Sequence, residues 1–153
     1  MDILSFEKME LSPDLEEEYE YYTKGRAIAV IYINGLPLID ILEPLLKKAA
    51  NGAGYIHATE RYIYIAARKL YDELIKLLDK ETSSGDKVLN VILRKGLYDA
   101  CAPNYIRIDS YHGTVIWKSY CYYNYYYKEA ELPVFLFDTK QYKKALEQLK
   151  SLM

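Results

Sequence analysis

The side chains with reactive chemistry are few and far apart in the chain. Cys101 and Cys121 are the candidate nucleophiles, with His57 or His112 as the base. A reactive thiolate needs a neighbour that lowers its pKa, and no local motif supplies one to either cysteine. The same four residues lack the closely spaced ligand pairs typical of zinc sites. The sequence therefore predicts no catalytic residue, no metal site and no cofactor.

Tyrosine is the one unusual component, with 18 residues of 153 against three Phe. Six tyrosines fall within eight residues and two glutamates follow them: Tyr120, Tyr122, Tyr123, Tyr125, Tyr126, Tyr127, Glu129 and Glu131. Alternate residues of a strand face opposite sides, so this tract holds two sets of tyrosines. Both sets cannot lie in an apolar core without partners for their hydroxyl groups, so we expect one set at the surface. Tyr105 and Tyr111 extend the same patch upstream.

A tyrosine surface of this kind is typical of protein interfaces, because tyrosine offers a large rigid area with a polar tip. We therefore interpret the tract, with Glu129 and Glu131, as partner-binding. Stacking on nucleic-acid bases needs a basic groove, and only Lys118 and Lys128 flank the tract. The formal net charge of −2 also lacks the basic footprint of nucleic-acid binding. A plainer interpretation stays open, in which Tyr replaces Phe in an ordinary sheet.

Length and composition indicate one domain over residues 1–153, large enough to bury roughly 70% of its unfolded surface. Two cysteines are too few for a disulfide framework, which favours a reducing compartment. The first ten residues do not resemble a signal peptide. The longest apolar stretches, such as residues 27–33, fall far short of the ~20 residues that cross a bilayer. We predict a cytoplasmic protein without membrane association.

The first half of the chain alternates between helical and strand signals. Ser12 and Pro13 open a helix that ends near Gly25. A β-branched strand over residues 26–33 follows, and Asn34-Gly35 has the chemistry of a type I′ turn. Leucines at helical spacing predict a helix over residues 36–50, interrupted by Pro44. A long helix is predicted over residues 59–80, although its beginning, residues 61–65, is also compatible with a short strand.

The second half changes to the period of two that is typical of strands. Strands are predicted over residues 87–93, 105–109, 114 to about 123, and 132–137, with a turn at 111–113. Asp138 or Thr139 then caps a closing helix whose apolar stripe comprises Tyr142, Ala145, Leu146, Leu149 and Leu152. The pattern predicts an α+β fold: one antiparallel sheet of about four to six strands, helices mainly on one face, and a C-terminal helix.

Several motifs recur in the order seen in a group of small uncharacterised bacterial proteins. They are Ile33-Asn-Gly-Leu-Pro-Leu38, Val88–Leu93, Gly113-Thr-Val-Ile-Trp-Lys-Ser-Tyr120 and Pro133-Val-Phe-Leu-Phe-Asp138 with Tyr142. The chain resembles that group over scattered stretches of about half its length. Members commonly carry a cysteine cluster after the second motif, whereas residues 94–103 here contain only Cys101. The resemblance implies a shared fold and carries no activity with it.

The function that these observations favour is a non-catalytic protein-binding module, specifically a bacterial immunity-type protein that neutralises a toxin. Acids in residues 14–20, or Glu129 and Glu131, would steer a basic partner. Two alternatives stay open. One is a ligand-binding or enzymatic domain with a Tyr-lined pocket between sheet and helices, although none of 22 acids can be singled out for acid–base chemistry. The other is a homodimeric structural protein.

Overall fold

The computed structural model describes residues 1–9, 27–38, 40–41, 44, 65–79, 88–92, 103–121 and 133–153. For residues 65–66, 79, 88–92, 103–105 and 119–121 it describes the backbone alone. The helix expected over residues 12–24 lies outside these ranges.

Four of the described strands form the first sheet, arranged around a β-branched centre. They are β1 (Leu4–Lys8), β2 (Ile28–Ile33), β3 (Leu36–Pro37) and β4 (Ile65–Ala66). β1 runs antiparallel along one edge of β2, and β3 and β4 pair with the two ends of its other edge. β1 was not predicted from the sequence, although Leu4 and Phe6 alternate with the more polar Ser5 and Glu7 and are both buried.

The turn between β2 and β3 confirms the prediction made from Asn34-Gly35. Asn34 has φ 54° and Gly35 has φ 78°, the pair of left-handed residues that a type I′ turn requires. Residues 36–37 pair with β2, so the helical backbone seen at Leu38, Asp40, Ile41 and Pro44 begins two residues later than expected.

The second sheet comprises, among the residues that the structure describes, four antiparallel strands in sequence order. They are β5 (Val88–Ile92), β6 (Pro103–Tyr111), β7 (Thr114–Cys121) and β8 (Val134–Asp138). The predicted strands are therefore present, with β6 longer at both ends. His112 and Gly113, with φ 46° and 77°, form the β6–β7 turn.

Two helices complete the described elements: α1 (Ala67–Asp79) and α2 (Thr139–Ser151). The helix predicted from residue 59 begins only at Ala67, because Ile65 and Ala66 extend the first sheet by pairing with Ala29 and Ile28. Asp138 is the N-cap of α2, and its side chain accepts hydrogen bonds from the amides of Lys140 and Gln141. Neither helix, nor any other among the described residues, is long and apolar enough to cross a bilayer.

One set of buried side chains is shared by both sheets and both helices. It includes Phe6 and Ile31 of the first sheet, Trp117 and Phe137 of the second, Leu70 and Leu74 of α1, and Tyr142, Leu146 and Leu149 of α2. The predicted α+β class and C-terminal helix are confirmed. The described strands form two sheets where one was expected, and a parallel bridge between Asp2 and Phe137 joins the two.

Candidate protein-binding surface

Strand alternation gives the second sheet two unlike faces. The side chains of Ile106, Ile108, Val115, Trp117, Phe135 and Phe137 are buried against the helices. The intervening residues lie on the opposite side, which we call the outer face: Arg107, Asp109, Ile116, Lys118, Val134 and Leu136. Directly paired residues share a face, so Ile116 lies beside Leu136 and Lys118 beside Val134.

Three residues form an apolar strip on the outer face. Val134 is 51% exposed and Leu136 is 42% exposed, and Ile116 is half-buried beside Leu136. Single exposed apolar residues are ordinary, but neighbouring ones on two paired strands make a continuous patch. The strip is therefore the part of the described outer face best suited to contact an apolar partner surface.

The N-terminus continues this surface beyond β8. The amide of Asp2 donates to the Leu136 carbonyl at 2.8 Å, and Asp2 Oδ2 accepts from the Leu136 amide at 2.9 Å. Asn34 Nδ2 donates to Asp2 Oδ1 at 2.8 Å, and Asn34 Oδ1 accepts from the Ile3 amide at 2.8 Å. Ile3, 55% exposed, is thereby fixed close to the edge of β8.

Charge on the outer face is mixed. Arg107 Nε donates to Asp109 Oδ2 at 3.1 Å, so these two neighbours on β6 offset each other. Lys118 is exposed on β7. A partly exposed ion pair of this kind adds little stability, but it fixes two charges at the margin of the apolar strip. Such a polar margin around an apolar centre is the usual composition of a protein interface.

The tyrosine tract lies largely outside the described residues. Of the predicted binding residues, only the backbone of Tyr120 is described, at the end of β7. Its register partner is Tyr105, and alternation assigns both positions to the outer face, together with Ile116 and Lys118. The remaining predicted residues are outside the described ranges: Tyr122, Tyr123, Tyr125, Tyr126, Tyr127, Glu129 and Glu131.

Tyr111 is the described tyrosine at the other end of β6. It is 67% exposed, and its ring meets that of His112 edge-on, with 4.0 Å between the ring centroids. The turn that carries them is held to α2, because the Thr139 amide donates to the Gly113 carbonyl at 3.0 Å. Tyr111 is thus an exposed aromatic side chain next to a turn that is hydrogen-bonded to the start of α2.

The residues considered for catalysis are not brought together by the described structure. His112 lies exposed in a turn, the backbone alone is described for Cys121, and His57 and Cys101 fall outside the described ranges. No group of three metal-ligating side chains occurs among the residues with described positions. Burial, a hydrogen bond to Glu7 and the charges of Glu7 and Asp40 raise the pKa of Tyr32 above its ordinary value.

No protein-family model, curated protein or solved structure matches this chain. The fold class is therefore established by the structure alone, as an α+β arrangement of two antiparallel sheets with a C-terminal helix. The resemblance proposed from the sequence motifs stays a prediction.

Sequence reasoning missed the apolar strip, although a signal for it was present. Val134-Phe135-Leu136-Phe137 is apolar at every position, so a strand there places apolar residues on both faces. The helix that follows covers one face, and the other set of side chains then lies at the surface.

Proposed function

We propose that this protein is a non-catalytic binding module whose outer face binds another protein. The observation that carries the proposal is the apolar strip, which is exposed on a sheet whose opposite face is buried at the positions with described side chains. Completing the burial of Val134 and Leu136 against a partner would contribute about 1 kcal/mol each, since roughly half of each side chain is already covered.

Aromatic positions at both ends of the outer face support this assignment. Tyr111 is exposed beyond one end of the strip, and Tyr105 and Tyr120 are register partners toward the other. Tyrosines around an apolar centre are a common arrangement of interface anchors. The tract that continues from Tyr120 would enlarge the same surface.

The narrower proposal for the partner is a toxin that the protein neutralises as an immunity-type inhibitor. Binding through a broad face would block the toxin's active site or substrate groove without any reaction by the inhibitor. Glu129 and Glu131 would speed association with a basic partner by electrostatic attraction. Gel filtration with the product of the neighbouring gene tests this, and failure to co-elute with that product or to inhibit it would refute the toxin proposal.

Two matched substitutions test the surface itself. Leu136→Glu places a charge in the apolar strip. It should weaken binding of the neighbouring gene's product at least tenfold. Met153→Glu is the control, because Met153 is 44% exposed, close to the 42% of Leu136, but lies at the end of the chain after α2. Equal binding by both variants would contradict the proposal.

Light scattering of the free protein distinguishes a second partner class, since a dimer that Leu136→Glu dissociates would identify the partner as a second copy.

A further inference from the structure

The exposed side of α2 begins with three lysines in its first two turns. Lys140, Lys143 and Lys144 are all exposed, while Tyr142, Ala145, Leu146 and Leu149 bury the opposite side of the helix. Residues three and four apart are neighbours on a helix, so the three ammonium groups share one patch, which we call the lysine face. This patch is a local excess of positive charge in a chain of net charge −2.

The lysine face has more positive charge than its neighbours on α2 offset. Like charges three and four residues apart repel each other, and Lys140 lies beside the positive end of the helix dipole. Glu147, one turn after Lys143 and Lys144, supplies one negative charge against three positive ones. The first turn contains no acidic residue, and the Asp138 carboxylate is engaged by the amides of Lys140 and Gln141. Within the described part of the chain, none of the three lysines forms an ion pair. An anionic partner would relieve this repulsion.

We propose that the lysine face is a second interaction surface, which binds an acidic segment of a partner protein. Lys140 and Lys144 are about 6 Å apart along the axis, the length of roughly two residues of extended chain or one helical turn of a partner. A partner carboxylate can therefore approach each lysine. This surface belongs to α2 on the packed side of the second sheet and is separate from the outer face.

Two features favour an acidic protein segment over nucleic acid. Glu147 is exposed one turn after Lys143 and Lys144, where it would repel a continuous line of phosphates. The screening length is about 8 Å at physiological salt, so a short acidic segment interacts mainly with the local lysines. A nucleic acid extends over a longer distance and meets the net negative charge of the remaining surface.

The test compares two triple variants with the same change in net charge. The first neutralises the lysine face: Lys140→Gln, Lys143→Gln and Lys144→Gln. The second neutralises three other exposed lysines: Lys8→Gln, Lys69→Gln and Lys76→Gln. A fluorescent oligoglutamate peptide is titrated with each protein at low ionic strength, and fluorescence anisotropy reports binding. We expect the lysine-face variant to lose about tenfold in affinity and the control to lose little.

Each outcome decides the proposal. Equal losses in the two variants would mean that the peptide responds to net charge alone, and absence of binding to the unaltered protein would overturn the proposal directly. Tighter binding of a single-stranded DNA oligonucleotide than of the peptide, with the same dependence on the lysine face, would overturn the assignment to an acidic protein. Thermal unfolding checks that both variants are folded.

Discussion

Trp117 and Tyr142 meet in the core, where the indole Nε1 donates a hydrogen bond of 3.2 Å to the phenol oxygen. Tyr142→Phe would keep the ring but leave the buried indole N–H without an acceptor, at a cost of about 1–3 kcal/mol. Urea unfolding followed by the emission of the single tryptophan measures this cost. Tyr111→Phe, which alters an exposed phenol, is the control and should change stability little. Equal stability of the two variants would contradict the inferred role of the hydrogen bond.

The same phenol makes stability depend on alkaline pH. Burial raises the pKa of Tyr142 well above its ordinary value, although the hydrogen bond from Trp117 acts in the opposite direction. Above about pH 10 the unfolded chain releases this proton and the folded protein keeps it. The stabilising contribution is therefore complete below the unfolded pKa and declines as the pH rises above it. Circular dichroism should show a shallower alkaline loss of stability for Tyr142→Phe, since the other tyrosines are common to both proteins.

At the residue scale, the sequence predicted that Tyr142 is buried but did not predict its partner. The apolar stripe of α2 is a local pattern at helical spacing, so it can be read from neighbouring residues. Trp117 lies 25 residues earlier, on β7. Pairing the two depends on how the helix crosses the sheet, which the spacing within either element does not specify.

At the scale of elements, the two tight turns offer a matched comparison. Asn34 and His112 occupy equivalent positive-φ positions, each followed by glycine. The Asn34 side chain also bonds to Asp2 and Ile3, whereas His112 is exposed and stacks edge-on with Tyr111. We expect Asn34→Ala to cost about 1 kcal/mol more than His112→Ala. Denaturant unfolding measures the difference, and a larger loss for His112→Ala would show that the Asn34 bonds contribute little.

Two glutamines of α2 form hydrogen bonds with the backbone of β1, on the edge that does not pair with β2. Gln141 pairs with the backbone of Leu4 through both its oxygen and its nitrogen, at 3.1 and 2.8 Å, and Gln148 accepts one bond from the Phe6 amide at 3.2 Å. Gln141→Ala should cost about 1–2 kcal/mol and Gln148→Ala about half as much. Faster amide hydrogen exchange at Leu4 should accompany only the first change. Protection of Leu4 that survives Gln141→Ala would refute this account of the edge.

At the scale of the whole molecule, the sequence predicted the local elements better than their assembly. The period of two in residues 87–137 identifies strands, and Asn34-Gly35 identifies a turn, because both signals come from adjacent residues. The way the two sheets are joined depends on contacts such as that between Asp2 and Leu136, which are 134 residues apart in the chain. The prediction that Tyr120 belongs to a binding surface stays a prediction, whereas the apolar strip became visible only when the register paired Ile116 with Leu136.

The link between the sheets depends on one carboxylate with two acceptor oxygens. Asp2 Oδ1 accepts from Asn34 and Asp2 Oδ2 from the Leu136 amide, so Asp2 ties the β2–β3 turn to the edge of β8. In Asp2→Asn only one oxygen remains, and one of the two donors must lose its partner. We expect the variant to lose about 1 kcal/mol of stability. We also expect the Leu136 amide to exchange faster, while Phe135 and Phe137, which pair with β7, stay protected.

Asp72→Asn on the exposed side of α1 is the control, because it makes the same change of charge without touching this link. Exchange at Leu136 that is unchanged in Asp2→Asn would mean that the backbone bond from the Asp2 amide to the Leu136 carbonyl holds the sheets together by itself. Faster exchange along the whole of β8 would instead show that the carboxylate supports the strand as a unit. In that case Ile3 and the apolar strip would depend on Asp2 for their arrangement, and Asp2→Asn would also weaken partner binding at the outer face.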